Sequence, residues 1–530
     1  MKRHLLFLPI FLTTLCSAQY VHERETFHAL SSPQAVSDTL PAPKYLQEHV
    51  VDGKLRLSLQ DAIAGMLLNN SNVRLQELAV EDSKFSLLGA HSPFDPAAQA
   101  NFNALRQTFP SVLQTQGVQV LSQLNQTSTL SYKQSFETGT TVLVGFNATK
   151  TSTNDANVLV NPYITSGLNF EITPPLLRNR WLFANRAPLI IARRNLRISR
   201  KNFEGQVNDA ILDVVTRYWA VVQARGSLDV AKKLQEAADA SYKRDKRKLE
   251  LGALPPLDIY GSESRVATRR VEVIQDEYAL KLAEDSLRNS LGASLDPFLR
   301  AIDLELTELP ARDEELMNID AATALKEALE RRPELEVEQQ SLANDDTKIR
   351  LAHNNLLPDL RVGANYSGNG VAGPAGGFGD SLNQAFTFGS PAYGFTVNLN
   401  LPIRNRAAQA ELGSALISRR RDLYAEQQTR EQITLQVFNA VHQLEQAKLS
   451  LAASRDAVEL SRKNLAAEQR KYELGSGQLF FVLDAQNQVA TAEVSVLNAE
   501  VGYQVAVTTV QHATGKLLEP YHVQIDELTH

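Results

Sequence analysis

The sequence predicts a mainly α-helical chain with a membrane β-barrel part, built as two helix–strand–strand–helix repeats. Three observations carry this. First, Lys248-Leu249-Glu250-Leu251-Gly252 returns as Lys471-Tyr472-Glu473-Leu474-Gly475, and Val266-Ala267-Thr268 returns as Val489-Ala490-Thr491, both at a spacing of 223 residues. Second, two windows switch from helical periodicity to strict alternation. Third, proline is almost absent from two stretches of more than 60 residues that flank those windows.

The N-terminus opens with Lys2-Arg3-His4, an apolar run from Leu5 to Leu15, and the small residues Cys16, Ser17 and Ala18. This is the pattern of a secretory signal cut after Ala18, so the chain is expected to be exported. Cys16 is the only cysteine, which leaves no disulfide for the mature chain. Cys16 also raises the alternative of a lipid anchor, but Leu15 stands where a lipid-attachment signal wants a small residue. Net charge is −6 with no basic block, so no nucleic-acid partner is expected. The histidines are scattered without metal-ligand spacing, and no nucleophile–base constellation stands out. No enzyme activity, cofactor or metal is therefore expected.

In the first window the expected strands are Ala98–Gln107, Leu130–Phe136, Thr141–Thr149 and Tyr163–Thr173, with Glu137-Thr138-Gly139-Thr140 as a hairpin turn. In the second, Leu360, Val362, Ala364 and Tyr366 alternate with polar or small residues, as do Tyr393, Phe395, Val397, Leu399 and Leu401. Runs of this kind suit the ~9–11 residues of a tilted membrane strand. Between them, Gly368 to Ser390 reads as an external loop; its Gly368-x-Gly370-x-x-Gly373 spacing precedes Pro374 rather than a phosphate-binding helix. His91 and Pro96 align with His353 and Pro358 at 262 residues, against 223 later, and the difference of 39 residues leaves room for one added hairpin.

Helices are expected over 185–248 and 407–473. At 1.5 Å per residue these are rods on the order of 95–100 Å. The second carries a seven-residue stripe at Leu416, Leu423, Arg430, Val437, Leu444, Leu451, Val458, Leu465 and Tyr472, the first at Val207, Val214, Val221, Leu228, Tyr242 and Leu249. Such repeats imply coiled-coil packing. Each rod ends at a Leu-Gly turn and returns through a second helix, 257–292 or 479–515. The expected division is a signal peptide at 1–18, an N-terminal extended segment at 19–55, repeat 1 at 56–300 with strands within 97–173, a linker at 301–320, repeat 2 at 321–518 with strands within 358–402, and a tail at 519–530. Four or six strands cannot close a barrel alone, and an open edge in lipid is forbidden. A trimer is the smallest assembly that leaves a water path, with twelve strands or, counting the added hairpin, eighteen.

The duplicated order of elements, the openings Leu57-Ser58-Leu59-Gln60-Asp61-Ala62 and Ala324-Leu325-Lys326-Glu327-Ala328, Pro174-Pro175-Leu176-Leu177-Arg178, and the two Glu-Leu-Gly tips resemble the TolC-type outer membrane efflux protein family over about residues 55 to 518. The resemblance implies a homotrimer in the outer membrane of a diderm bacterium: a β-barrel among outer membrane lipids above a helical coiled-coil barrel in the periplasm. It implies a passive exit duct of a tripartite efflux or type I secretion system, served by a periplasmic adaptor and an inner-membrane pump of RND or ABC type. It implies adaptor docking at Leu251, Gly252, Ala253, Leu474, Gly475 and Ser476, and a periplasmic gate at Asp258, Tyr472, Phe481 and Asp484. Phe481 stands where the best-known members have an acidic residue, and Gly477 where the latch Arg is usual, so a partly apolar constriction and a weaker latch follow. The competing reading is a periplasmic coiled-coil adaptor or scaffold, which would not fractionate with the outer membrane.

Overall fold

The computed structural model describes residues 44–251, 255, 257, 259–308, 310, 316–375, 377–474, 476 and 478–525. The described chain runs α1 (Lys44–Glu48), β1 (Val50–Val51), β2 (Lys54–Leu57), α2 (Leu59–Asn69), α3 (Ser71–Gly89), then four strands, β3 (Ala97–Pro110), β4 (Val120–Ser135), β5 (Thr141–Thr153) and β6 (Tyr163–Thr173). The long helix α4 (Leu182–Glu250) and its return α5 (Ile259–Ser290) follow, then α6 (Pro297–Ala301) and β7 (Asp303–Leu306). The second half runs α7 (Ala321–Arg331), α8 (Pro333–Asn355), β8 (Asp359–Ala372), α9 (Gly377–Phe386), β9 (Ser390–Asn400), the long α10 (Arg406–Glu473) and α11 (Leu479–Ala513). Among the described residues no helix is long and apolar enough to cross a membrane.

The chain divides into two compact units. One comprises Ser83–Arg197 with Gln340–Tyr424 and holds a six-stranded antiparallel sheet in the order β3-β4-β5-β6-β8-β9. Both repeats thus feed one sheet, joined where Phe170 of β6 faces Tyr366 of β8. The added hairpin is real: the first half supplies four strands and the second two. β6 keeps its expected bounds, whereas β3, β4 and β5 are longer, β4 by ten residues before Leu130, where Gln123, Asn125 and Thr127 alternate with Leu124, Gln126 and Ser128 and so give little apolar signal.

The Gly-rich segment is a correction. It is not an external loop throughout: β8 extends through Gly368 and Gly370 to Ala372, and α9 then lies back on β6 and β8. The glycines are there for closeness. A Cβ on Gly368 would stand 2.3 Å from the Ala385 carbonyl oxygen, and one on Gly370 only 2.0 Å from that of Ser381. Removing side chains from the strand lets a helix backbone approach it directly. The buried Ser166 and Ser381 hydroxyls share a 2.7 Å hydrogen bond beneath that helix, so neither is left unpaired.

The other unit comprises Ile198–Gln339, Ala425–His530 and the segment ending at Asp82. Its core holds Phe203, Ile211, Tyr218, Leu55, Leu57 and Met66, all fully buried. A small sheet, β1-β2-β7, runs through the segments read as extended N-terminus and linker, with β2 and β7 parallel and Leu55 opposite Leu304. Tyr218 fastens it: its hydroxyl donates to the Leu57 carbonyl at 3.3 Å and accepts from the Glu308 amide at 3.2 Å. Burial pushes this phenol up to about 12. The heptad stripes form the rest of the core in part. Val207, Val214, Val221 and Leu228 of α4, and Val437, Leu444, Leu451 and Val458 of α10, are buried, with Ile433 and Ala440 beside the latter. Leu416 and Leu423, at the start of the second stripe, are exposed in the single chain.

Candidate functional site

Two regions hold the candidate chemistry: the helical turns and the wall of the sheet. At the first turn α4 ends with the Leu251 amide bonded to the Arg247 carbonyl at 3.1 Å, leaving the Leu251 side chain exposed. At the second, the Leu474 amide bonds to Arg470 at 3.1 Å, and Ser476 closes the turn with both its amide (3.0 Å) and its hydroxyl (3.1 Å) on the Lys471 carbonyl. These are the orphan carbonyls of a helix end, here satisfied by a serine after the turn. Gly252, Ala253, Asp258 and Gly475 lie outside the described residues.

Tyr472 stands exposed in the last turn of α10. Phe481, half exposed, packs edge-to-face on Phe480 with ring centroids 5.6 Å apart. Asp484, one turn further, is exposed and accepts a 2.8 Å hydrogen bond from the Gln488 amide. Among the described residues no hydrogen bond or ring contact joins Tyr472, Phe481 and Asp484 to one another within the chain. The structure adds two contacts that sequence reasoning missed. The Ser262 hydroxyl donates to Asp245, tying the start of α5 to the end of α4, with both residues buried. Arg269 of α5 reaches Asn487 of α11 at 3.0 Å, linking the two return helices. Asp245 sits in the run Lys243-Arg244-Asp245-Lys246-Arg247, which reads as a solvated charged face. The repeat offset puts Glu468 and Ala485 in the matching places, and Ala485 cannot donate, so the second hairpin lacks this tie.

The wall separates two chemistries by strand alternation. One face carries Leu130, Val144, Phe146, Leu168, Phe170 and Tyr366, in register across β4, β5, β6 and β8. The other is a ladder of amides and hydroxyls: Thr127 with Thr149 at 3.2 Å, Thr151 with Asn125 at 3.0 Å, and Asn169 with Asn147 at 3.3 Å. The outer edges of β3 and β9 have no strand partner within the described chain. Unpaired edges are what a sheet needs in order to continue into another copy. No group of described residues has the makings of a metal site.

Comparison with known proteins agrees with this arrangement. The model of the outer membrane efflux protein family matches residues 181–293 and 324–516. The chain is 22% identical over 306 residues to the probable efflux pump outer membrane protein TtgC of Pseudomonas putida, an alignment that covers 58% of this chain and spans 60% of the length of that relative. It is 24% identical over 372 residues to the outer membrane protein TolC of Vibrio cholerae, covering 67% and 77%. Among solved structures, the CmeC outer membrane channel of Campylobacter jejuni superposes with a TM-score of 0.63 at 14% identity, over 92% of this chain and 91% of that one. VceC of Vibrio cholerae gives a TM-score of 0.60 at 12% identity, over 90% and 99%. With a family model spanning the larger part of the chain and the same fold across these channels, the protein belongs to the outer membrane efflux protein family.

Proposed function

We propose that this outer membrane protein is the exit duct of a tripartite efflux or type I secretion system. Three chains of six strands give an eighteen-strand barrel, wide enough for a water path. The observation that carries the reading is the two-faced sheet with two unpaired edges: the apolar face suits lipid, the Asn/Thr face suits water, and the edges have no use in a lone chain. Each chain contributes two repeats, 56–300 and 321–518. Conduction through this duct is passive. Opening comes from a periplasmic adaptor and an inner-membrane RND or ABC pump.

The turns at Leu251-Gly252-Ala253 and Leu474-Gly475-Ser476 present exposed leucines to the adaptor. Asp258, Tyr472, Phe481 and Asp484 form the gate, with Phe481 making part of the constriction apolar. Closure between chains would account for the absence of contacts among Tyr472, Phe481 and Asp484 within one. In planar bilayers the purified protein should show small, stable conductance steps, and Tyr472→Ala should raise the unit conductance severalfold. An unchanged conductance would remove Tyr472 from the gate. Absence of any conductance, with the protein recovered in the soluble periplasmic fraction, would favour the scaffold reading instead.

A further inference from the structure

The helix α9 roofs a crevice on the apolar face of the sheet. It is about 440 Å³ and is lined by Leu130, Val144, Phe146 and Leu168 from the strands and by Phe378 and Leu382 from the helix, with Ala98, Tyr132 and Phe386 at its margins. Phe146 lies 6.4 Å from Phe378 and 6.3 Å from Phe386, so rings from both ends of the helix close on one strand residue. Ser131 also borders the crevice, and the Tyr132 hydroxyl donates to Gln134 at 2.9 Å, which satisfies that polar tip. Of the helix's polar residues Asp380, Asn383 and Gln384 are exposed, and Ser381 is buried. The roof is held by structure rather than by collapse: the Ser166–Ser381 bond and the two glycines of β8 fix the height of α9 above the strands.

We propose that this crevice holds one acyl chain of a phospholipid of the periplasmic leaflet. This rests on the reading that the apolar face of the sheet meets the membrane. Its lining asks for a hydrocarbon without polar groups, and the crevice is continuous with the apolar face, so a chain enters sideways from the bilayer core. Its depth selects the leaflet. Ala98, Tyr132 and Val144 stand within four residues of the strand ends that adjoin the helices, the periplasmic side, whereas toward the other end the same face mixes Arg106, Gln126 and Lys150 with Leu124 and Ile164. A strand advances only ~3.3 Å per residue along its own direction, so the crevice lies in the nearer half of the ~30 Å core.

The test uses the full chain in phosphatidylethanolamine liposomes carrying a trace of the same lipid with a diazirine on its acyl chain. Illumination should place adducts on 377–386 and on the Leu130–Phe146 strands, in excess over those on the Tyr393–Leu399 face of β9. Val144→Phe fills the crevice and should lower the adducts on 377–386 roughly tenfold, as expected when about two methylenes lose their burial. Gly370→Val, which forces α9 away from the strand, should do the same. Adducts on β9 must persist in both variants, which shows that each still folds into the membrane. Labelling of β9 without enrichment at 377–386 overturns the proposal and leaves the channel reading standing. Loss of labelling from β9 in the parent chain would instead overturn the membrane reading on which it rests.

Discussion

Asp345 shows how far a single side chain departs from what its sequence neighbourhood suggests. In the run Asn344-Asp345-Asp346 it reads as one of several solvated acids. In the fold its side chain is 1% exposed, with Lys348 at 3.0 Å on one oxygen and Asp422 of α10 beside it. Burial, and then the neighbouring Asp422, hold its carboxyl above the usual carboxylate range, only partly opposed by Lys348. The fold therefore prefers the protonated acid. That contribution is fully present below the unfolded value and is lost as pH rises through the raised one. Asp345→Asn should raise the melting temperature at neutral pH, by about 1 kcal/mol of stability, and flatten its dependence between neutral and mildly acidic pH. Equal pH dependence in parent and variant would show that Asp345 is not the group responsible. The tie between Asp245 and Ser262 was illegible for the same reason: nothing in a run of charges announces which one is buried.

Helices were the most legible elements. The heptad stripes predict which residues of α4 and α10 are buried, and Val207 to Leu228 and Val437 to Val458 are so. They do not predict where the stripe runs out of partners inside one chain, because periodicity marks a face without saying which copy covers it. The return helix α5 has a further stripe, Val271, Ile274, Tyr278 and Leu282, that is exposed in the described chain at the spacing of one helical face. Four large apolar side chains on one face need a covering partner. Tyr278→Asp should therefore shift the proposed trimer toward monomer in detergent, measured by native mass spectrometry, by a destabilisation of about 1–3 kcal/mol per interface. A trimer of unchanged stability would mean that this face meets water or the adaptor.

At the scale of the whole molecule, the alternating strands specify a two-faced wall, and the cost of error differs between faces. Phe395→Lys on the apolar face of β9 should cost about 2–4 kcal/mol near the bilayer midplane and sharply reduce recovery of folded protein in the outer membrane fraction. Asn398→Lys, three residues along on the opposite face, should fold normally. Similar recovery for both would refute the assignment of faces. The duplication, the two kinds of element and the family were legible in the sequence, since these follow from periodicity and spacing, and the impossibility of an open edge in lipid is what supports the proposed assembly of several chains. That six strands share one sheet, that the Gly-rich stretch lowers a helix onto the wall, and which acids are buried emerge from the folded chain alone. Those depend on which distant segments meet, and a glycine that admits a helix backbone is written with the same letter as one that loosens a loop.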